Sequence, residues 1–307
     1  MNDIDLNLVL VAVLSGTLRL STPIALGALG GIFSERAGVV NIAIEGLMLS
    51  AAFTGFLVGA SSGNVWLGVL AAILTGALMA LLHGALSIHL RVDQIISGTV
   101  INILAVGLTG YFYTSNVTLP GKLPSMPIPL LSQIPIAGPV LFDNPPITYL
   151  ALILVATTHI VLYHTQWGLR LRAVGENPRA ADTVGINVIT TRYANVVIGG
   201  ALAGLAGAFL SLEAVGSFER LMTNGRGFIA LAAMIFGNWN PIGAWAAALL
   251  FGFANALQSQ LQFQGLGSII PHQFIGLLPY VLTIIVLAGF VGRARPPAAV
   301  GQPYTKE

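Results

Sequence analysis

The feature that most constrains this chain is a series of long apolar runs that carry few or no charges. A helix needs roughly 20 apolar residues to cross about 30 Å of hydrocarbon. Hydrophobic residues make up 55% of the 307 positions and charged residues only 8%, against about 25% charged residues in a soluble domain. Runs long enough to cross occupy 6–33, 39–60, 66–88, 95–114, 147–163, 193–214 and 274–292. The sequence therefore predicts an all-α, polytopic membrane protein.

One further apolar stretch, 227–259, is too long for a single crossing. It is interrupted at 237–241, where the sequence reads Gly-Asn-Trp-Asn-Pro. We interpret it as two helices, 227–237 and 242–259. The first has about 11 residues, or some 16 Å of helix, so we expect a discontinuous helix shielded inside the bundle, where irregular backbone is tolerated. This gives about nine transmembrane helices, within a range of about eight to ten.

The distribution of basic residues predicts the orientation, because cytoplasmic loops carry an excess of Lys and Arg. With nine crossings and an outside N-terminus, the cytoplasmic basic residues are Arg36, Arg91, Arg170, Arg172, Arg179, Arg192, Arg293, Arg295 and Lys306. Lys122, Arg220 and Arg226 lie outside, as does the long loop 115–146. We interpret residues 1–307 as one membrane domain, which comprises an N-terminal half 1–163, a cytoplasmic loop 164–192, a C-terminal half 193–292 and a tail 293–307.

Two Gly/Ala-rich spans indicate an internal repeat. Residues 10–36 and residues 193–220 both end in Glu-Arg, and five crossings separate their starts, so the two halves would be inverted. Inverted repeats are typical of transporters, whose substrate path lies at the repeat interface. The alternative is that two glycine-rich helices look alike by chance. In the second span, Gly200 and Gly204 have the spacing that lets helix backbones approach closely.

Several classes of chemistry are disfavoured by what the sequence lacks. The absence of cysteine removes disulfides, thiolate metal sites and cysteine nucleophiles. The two lysines, Lys122 and Lys306, do not end a Walker A loop, and no His-Glu-x-x-His or Gly-x-Ser-x-Gly motif occurs. We predict that His83 and His159 are helix-packing residues and that the chain has no catalytic or metal-binding residue. The net charge of +2 is scattered, so nucleic acid binding is not expected.

The first segment with functional character is 34–48, where a charged turn leads into a span. Glu45 is expected about one and a half turns inside that span, where a charge costs up to about 2.5–3.5 kcal/mol. It is interpreted either as a structural ion pair or backbone cap, or as a substrate contact. Arg19, near the middle of the first span, either lines the pore or forms a buried pair with Glu45 or Glu213. Asn41 and Asn102 complete the polar residues assigned to the translocation path or to structural roles.

The second segment is the cytoplasmic loop around 168–186. Asn177 is a good N-cap, Pro178 suits the first helical position, and Gly185 can end the turn in a left-handed conformation. These residues predict a short helix across the cytoplasmic face that exposes Ala180 and Ala181. Such a helix presents a knob of small residues to a partner protein, although an interfacial amphipathic helix would have the same pattern.

At these two segments the chain resembles a known family. Residues 23–46 match the pattern Pro-x-x-Leu-x-x-Leu-Gly-Gly-x-x-Ser-Glu-Arg-x-Gly-Val-x-Asn-Ile-x-x-Glu-Gly, and residues 175–186 match Gly-x-Asn-x-x-Ala-Ala-x-x-x-Gly-Ile. These motifs are similar to those of ABC importer permeases of the branched-chain amino acid and monosaccharide family, above all its nucleoside branch. The resemblance implies a type II ABC importer-like fold. It also implies an ATPase-coupling segment that comprises Gly175, Glu176, Asn177, Pro178, Arg179, Ala180, Ala181, Gly185 and Ile186.

The resemblance further implies the partners and the setting. We expect a separate ATPase subunit that binds ATP, so that this chain needs no cofactor of its own, and a paralogous second permease subunit that forms a heterodimer. An extracytoplasmic binding protein or lipoprotein would deliver the solute, and the site of action would be a bacterial plasma membrane. Nucleosides are the first expectation for the solute, followed by simple sugars, riboflavin-like compounds and branched-chain amino acids. A secondary transporter and a membrane enzyme remain as alternatives.

Overall fold

The computed structural model describes residues 6–114, 117–263 and 294–306, together with positions 274, 277 and 281. In this part of the chain the secondary structure is helical, without strands, as predicted. The helices are α1 (Leu6–Arg36), α2 (Ile44–Ser62), α3 (Val65–Gly84), α4 (Gln94–Tyr111), α5 (Ala137–Leu141), α6 (Pro146–His164), α7 (Gln166–Glu176), α8 (Pro178–Thr183), α9 (Val188–Ala208), α10 (Arg226–Phe236) and α11 (Pro241–Phe263). Helices α3 and α9 continue as π-helices over Ala85–His89 and Phe209–Val215.

Seven helices of the described residues are long and apolar enough to cross a membrane: α1, α2, α3, α4, α6, α9 and α11. Helix α10 is apolar but short, as predicted from the break at 237–241. The predicted start of the second span is wrong, because α2 begins at Ile44 and residues 37–43 form an irregular segment. The predicted span 274–292 lies outside the described ranges, apart from three isolated positions.

Glycines determine how closely the central helices approach one another. A Cβ atom on Gly204 of α9 would lie 2.5 Å from the carbonyl oxygen of Ala72 in α3. A Cβ atom on Gly30 of α1 would lie 2.5 Å from the carbonyl oxygen of Gly199. These distances are too short for any side chain, so α9 packs backbone to backbone against both neighbours. The close helix contact predicted from the Gly200–Gly204 spacing is confirmed.

The two halves of the sequence interlock in one bundle. Helix α1 packs against α9, α10 and α11 from the C-terminal half. Cβ atoms on Gly27 and Gly31 would meet Ala230 and Met234, respectively, so α10 runs parallel to α1. Gly27 precedes the end of α1 by nine residues, or about 14 Å of helix. Helix α10 therefore starts deep in the bundle rather than at its surface.

The described helices also agree with an inverted repeat. In the first half the long helix α1 is followed by the irregular segment 37–43 and by α2. In the second half the long helix α9 is followed by the irregular segment 216–225 and by α10. Helices α1 and α9 run antiparallel, since Gly30 meets Gly199 and Ala203 while Ser34 meets Gly199. The two units consequently have opposite directions.

The described residues that are predicted to be cytoplasmic gather at one end of the bundle, which we call the basic face, whereas Arg293 lies outside the described ranges. It carries the end of α1, helices α7 and α8, and residues 294–306. Gly175 of α7 packs against the Arg36 carbonyl group, and the backbone N–H of Arg295 donates to Asn238 Oδ1 at 2.8 Å. Arg226, which is predicted to lie outside, is the half-buried first residue of α10.

Candidate functional site

The irregular segment between α1 and α2 has its backbone satisfied by side chains of α3 and α4. The Val40 N–H donates to Gln94 Oε1 at 2.7 Å, and Nε2 of His83 donates to the Val40 carbonyl oxygen at 2.8 Å. Asn102 Nδ2 donates to the Ile42 carbonyl oxygen at 3.0 Å. Backbone at membrane depth is tolerated only where protein or water satisfies it. These side chains therefore allow α2 to start inside the bundle.

Glu45 connects the starts of two discontinuous helices. It lies in the first turn of α2, not one and a half turns inside a span as predicted. Its Oε1 accepts the Gly225 N–H at 2.8 Å and its Oε2 accepts the Gly227 N–H at 2.6 Å. The carboxylate thus caps the N-terminus of α10, where the helix dipole is positive. Asn102 Oδ1 caps α2 in a similar way, since it accepts the Gly46 N–H at 2.7 Å.

A cavity of about 340 Å³ lies beside these two caps. Its wall is formed by Glu45, Gly46, Leu49, Asn102, Ile103, Val106, Leu221, Thr223 and Phe228. Ile103 is 67% exposed and Phe228 is 49% exposed, so the cavity opens on the side of the bundle. Its chemistry combines apolar walls and an aromatic ring with one carboxylate, one amide and the Thr223 hydroxyl. Apolar walls with a few polar groups are typical of small-molecule sites.

The other two polar candidates lie elsewhere. Asn41 is buried, and its Nδ2 donates to Ser34 Oγ at 3.2 Å. Arg19 is exposed and donates to the Asp143 carbonyl oxygen at 3.5 Å. It lines a separate cavity of about 310 Å³ together with Lys122 and Glu213. The predicted buried pair of Arg19 with Glu45 or Glu213 is wrong, because no salt bridge joins them among the described residues and the Arg19 side chain is exposed.

The sequence did not reveal the role of Glu213. This buried carboxylate accepts the Ile147 N–H at 2.7 Å, the Thr148 N–H at 3.2 Å and the Thr148 hydroxyl at 2.7 Å. It therefore caps the N-terminus of α6 in the way that Glu45 caps α10. Pro145 and Pro146 signal that a helix starts here, but the partner comes from a helix 65 residues away along the chain. Only the fold brings these groups together.

The predicted coupling segment forms the expected short helix at the basic face. Asn177 Oδ1 accepts the Ala180 N–H at 3.0 Å, Pro178 is the first residue of α8, and Gly185 has a φ angle of +85°. Gly175 is buried, Glu176 and Arg179 are exposed, and Ile186 is half-buried. The helix is thus presented on the outside of the basic face, with Ala180 exposed.

Ala181 does not share that exposure. Its side chain is 3% exposed and packs with Val174, Val188 and Tyr304. The prediction that both alanines project from the surface is wrong, because successive residues of a helix point about 100° apart. Ala181 faces the bundle, and only Ala180 offers a small side chain to a partner.

The basic face also contains a groove of about 720 Å³ between α7 and the start of α9. Its walls include the exposed apolar side chains of Trp167, Leu169 and Val184. No group of three or more His, Cys, Asp or Glu residues is arranged to hold a metal ion in the part of the chain that the structure describes. His83 is a packing residue, as predicted, since its Nδ1 accepts from Ser97 Oγ at 3.0 Å.

Comparison with known proteins identifies the family. Residues 13–287 match the family described as the branched-chain amino acid transport system / permease component. The chain belongs to this family. It is therefore a multi-pass plasma membrane protein and a transport subunit.

Three relatives match over nearly their whole length, and a fourth matches over most of it. The guanosine ABC transporter permease protein NupQ of Bacillus subtilis is 43% identical, over 98% of this chain and 99% of the relative. The nucleoside ABC transporter permease protein NupC of Lactococcus lactis is 41% identical, over 96% of each chain. The putative glucose ABC transporter permease protein TsgC13 of Haloferax volcanii is 37% identical, over 96% and 97%. A second guanosine permease protein of B. subtilis, NupP, is 27% identical, over 90% and 81%.

Proposed function

We propose that this chain is the membrane-spanning subunit of an ABC importer and forms the path for nucleosides. The observation that carries the proposal is the identity above 40%, over nearly the whole chain, with permeases for guanosine and for nucleosides. The sequence supplies no Walker A loop, so ATP is hydrolysed by a separate subunit. An extracytoplasmic binding protein delivers the solute.

The cavity beside Glu45 is the part of the path that we assign to this chain. A nucleoside is neutral and carries ribose hydroxyls, which donate hydrogen bonds, and a flat base. Each oxygen of Glu45 accepts one backbone N–H and keeps lone pairs for such donors. Phe228, half-exposed in the cavity wall, offers a ring face on which a base can stack.

The same cavity supports a second permease subunit. Its open side would place the half-buried Glu45 carboxylate against lipid, and charges at membrane depth face the bundle interior or water. We infer that a paralogous permease covers this side and completes an aqueous path. The pair of guanosine permease proteins in B. subtilis, NupP and NupQ, supports a heterodimer.

Uptake in reconstituted vesicles tests the solute. The complex of both permeases and the ATPase is placed in proteoliposomes with the binding protein and ATP, and labelled guanosine and labelled glucose are supplied in turn. We expect ATP-dependent uptake of guanosine. The similarity to the putative glucose permease TsgC13 favours a sugar as the second candidate, and ATP-dependent uptake of glucose alone would establish it. Solute uptake that does not depend on ATP would overturn the assignment of this chain to an ABC importer.

The coupling assignment is tested at Ala180. If the outer surface of α8 seats in a groove of the ATPase subunit, Ala180→Glu adds a clash and an unpaired buried charge there, which costs about 2–5 kcal/mol. On a free surface the same change stays within about 0.5 kcal/mol. We expect this variant to lose ATPase co-purification while it remains monodisperse in detergent. The control is His89→Glu, an exposed residue on the α3–α4 connection. Normal ATPase association of Ala180→Glu would defeat the docking assignment.

A further inference from the structure

Residues 294–306, which we call the C-terminal strap, cross the basic face and join elements that are far apart in the sequence. The Arg295 N–H donates to Asn238 Oδ1 at 2.8 Å, in the turn between α10 and α11. The Ala299 N–H donates to the Gly175 carbonyl oxygen at 2.9 Å, at the end of α7. The strap thus bridges the coupling segment and the turn that ends α10.

A third attachment reaches the break between α1 and α2. The Gly301 N–H donates to the Gly38 carbonyl oxygen at 3.2 Å. Gly38 has a φ angle of +89°, and a Cβ atom there would lie 2.8 Å from Nη2 of Arg192 and 3.2 Å from the Ala299 carbonyl oxygen. Only glycine fits this conformation and this space. The strap is therefore seated directly against the start of the irregular segment.

Two buried side chains fix the strap in place. Arg192, at the start of α9, is 1% exposed, and its Nη1 donates to the Gln302 carbonyl oxygen at 3.0 Å. Tyr304 is 9% exposed and packs in one cluster with Val174 of α7, Ala181 of α8 and Val188 of α9. A loose surface tail would not bury a tyrosine ring or accept a hydrogen bond from a buried arginine. The strap is an integral part of the basic face.

We propose that the C-terminal strap is the positioning element that makes the coupling segment and the cavity walls move as one body. Two of its attachments, at Gly38 and at Asn238, belong to elements that meet at Glu45. The irregular segment that contains Gly38 leads into α2, whose first turn contains Glu45. Helix α10, which ends near Asn238, has its other end capped by Glu45. A displacement of α7 and α8 is thereby passed to both helices that meet at the cavity. This inference rests on the proposed function, because the displacement would come from the ATPase subunit.

The first experiment removes the strap from the complete complex. A stop codon after residue 293 and the variant Tyr304→Ala are compared with Tyr304→Phe, which keeps the ring, and with Lys306→Ala. Lys306 is 71% exposed and lies 4.0 Å from Asp182, a surface pair that contributes little. The measurement is the number of guanosine molecules taken up per ATP hydrolysed, beside ATPase co-purification.

We expect the truncation and Tyr304→Ala to retain the ATPase but to lower uptake per ATP by about fivefold or more, the scale of typical coupling between sites. Tyr304→Phe and Lys306→Ala should remain close to the wild type. A merely structural tail would change the folded yield and leave the uptake per ATP of the folded fraction unchanged, and that result would overturn the proposal. If the truncated chain does not fold, Tyr304→Ala alone decides.

A second experiment fixes the strap instead of releasing it. Asp182→Cys and Lys306→Cys are introduced together, which is straightforward because the native sequence has no cysteine, and they are joined by a short bis-maleimide. If strap and coupling segment move as one body, the cross-link leaves uptake per ATP unchanged. Loss of uptake on cross-linking would mean that the two must separate, which contradicts the proposal. A wild-type complex without ATP-dependent uptake would instead refute the proposed function.

Discussion

At the scale of single residues, carboxylates at membrane depth serve as caps for helix ends. Glu45 accepts two backbone N–H groups at α10, and Glu213 does the same at α6. Four N–H groups at each helix start have no partner within their own helix, and inside a membrane water does not supply one. These carboxylates allow helices to start within the bundle.

The variant Glu45→Gln tests this role. Glutamine keeps one acceptor oxygen but turns an NH2 group toward one of the two backbone N–H groups, and hydrogen bonds to a charged group contribute about 1.5–3 kcal/mol. We expect a lower melting temperature and a lower folded yield because the cap is weakened, and slower guanosine uptake by the folded fraction because Glu45 also faces the cavity. The control is Glu219→Gln, which is exposed. A normal melting temperature and yield would contradict the capping role, and normal guanosine uptake by the folded fraction would contradict the contact with the solute.

At the scale of helices, the packing of α3 on α9 depends on a glycine, Gly204, which has no side chain to separate the two backbones. In an open helix interior, Gly→Ala stabilises by about 1 kcal/mol through helix propensity. At Gly204 the new methyl group would meet the Ala72 carbonyl oxygen at 2.5 Å and the Cα atom of Ile73 at 3.0 Å. Overpacking of this kind costs about 1–3 kcal/mol. The gain in helix propensity and the cost of overpacking therefore act in opposite directions on the stability of the fold.

We therefore expect Gly204→Ala to lower the melting temperature of the permease in detergent. Gly107→Ala on α4 is the matched control, because a Cβ atom on this exposed residue would have no neighbouring atom within 4 Å. That variant should leave the melting temperature unchanged or raise it. Equal effects at both positions would show that the close contact between α3 and α9 contributes nothing to stability.

The elements that could be predicted are those determined locally. Apolar run length placed most spans, and the N-cap at Asn177 with Pro178 placed α8. The start of α2 could not be predicted, because the apolar pattern is continuous through 39–60 and only side chains of α3 and α4 satisfy the broken backbone. The burial of Ala181 involves Tyr304, which is 123 positions later in the sequence, beside Val174 and Val188. Contacts of this kind leave no local signal in the sequence.

At the scale of the whole molecule, the described helices alternate in direction and all elements of the basic face meet at one end. The loop after α4 packs at the opposite end, where the Leu123 N–H donates to the Leu212 carbonyl oxygen at 2.9 Å, near the end of the π-helix that extends α9. Lys122 and Arg19 are on that side, beside Glu213. The excess of arginine at the basic face assigns that end to the cytoplasm.

Cysteine labelling tests this orientation, and the native chain has no cysteine to give a background. Pro127 and Ala180 are both exposed, at opposite ends of the bundle. In whole cells that express the permease without its ATPase subunit, we expect Pro127→Cys to react with a membrane-impermeant maleimide and Ala180→Cys to react only after permeabilisation. Lys306→Cys provides a second site on the basic face and should behave like Ala180→Cys, because the C-terminal strap lies against α8. One crossing, α6, lies between Pro127 and Ala180, so the two sites must be on opposite sides of the membrane. Labelling of Pro127→Cys and Ala180→Cys from the same side would contradict this topology.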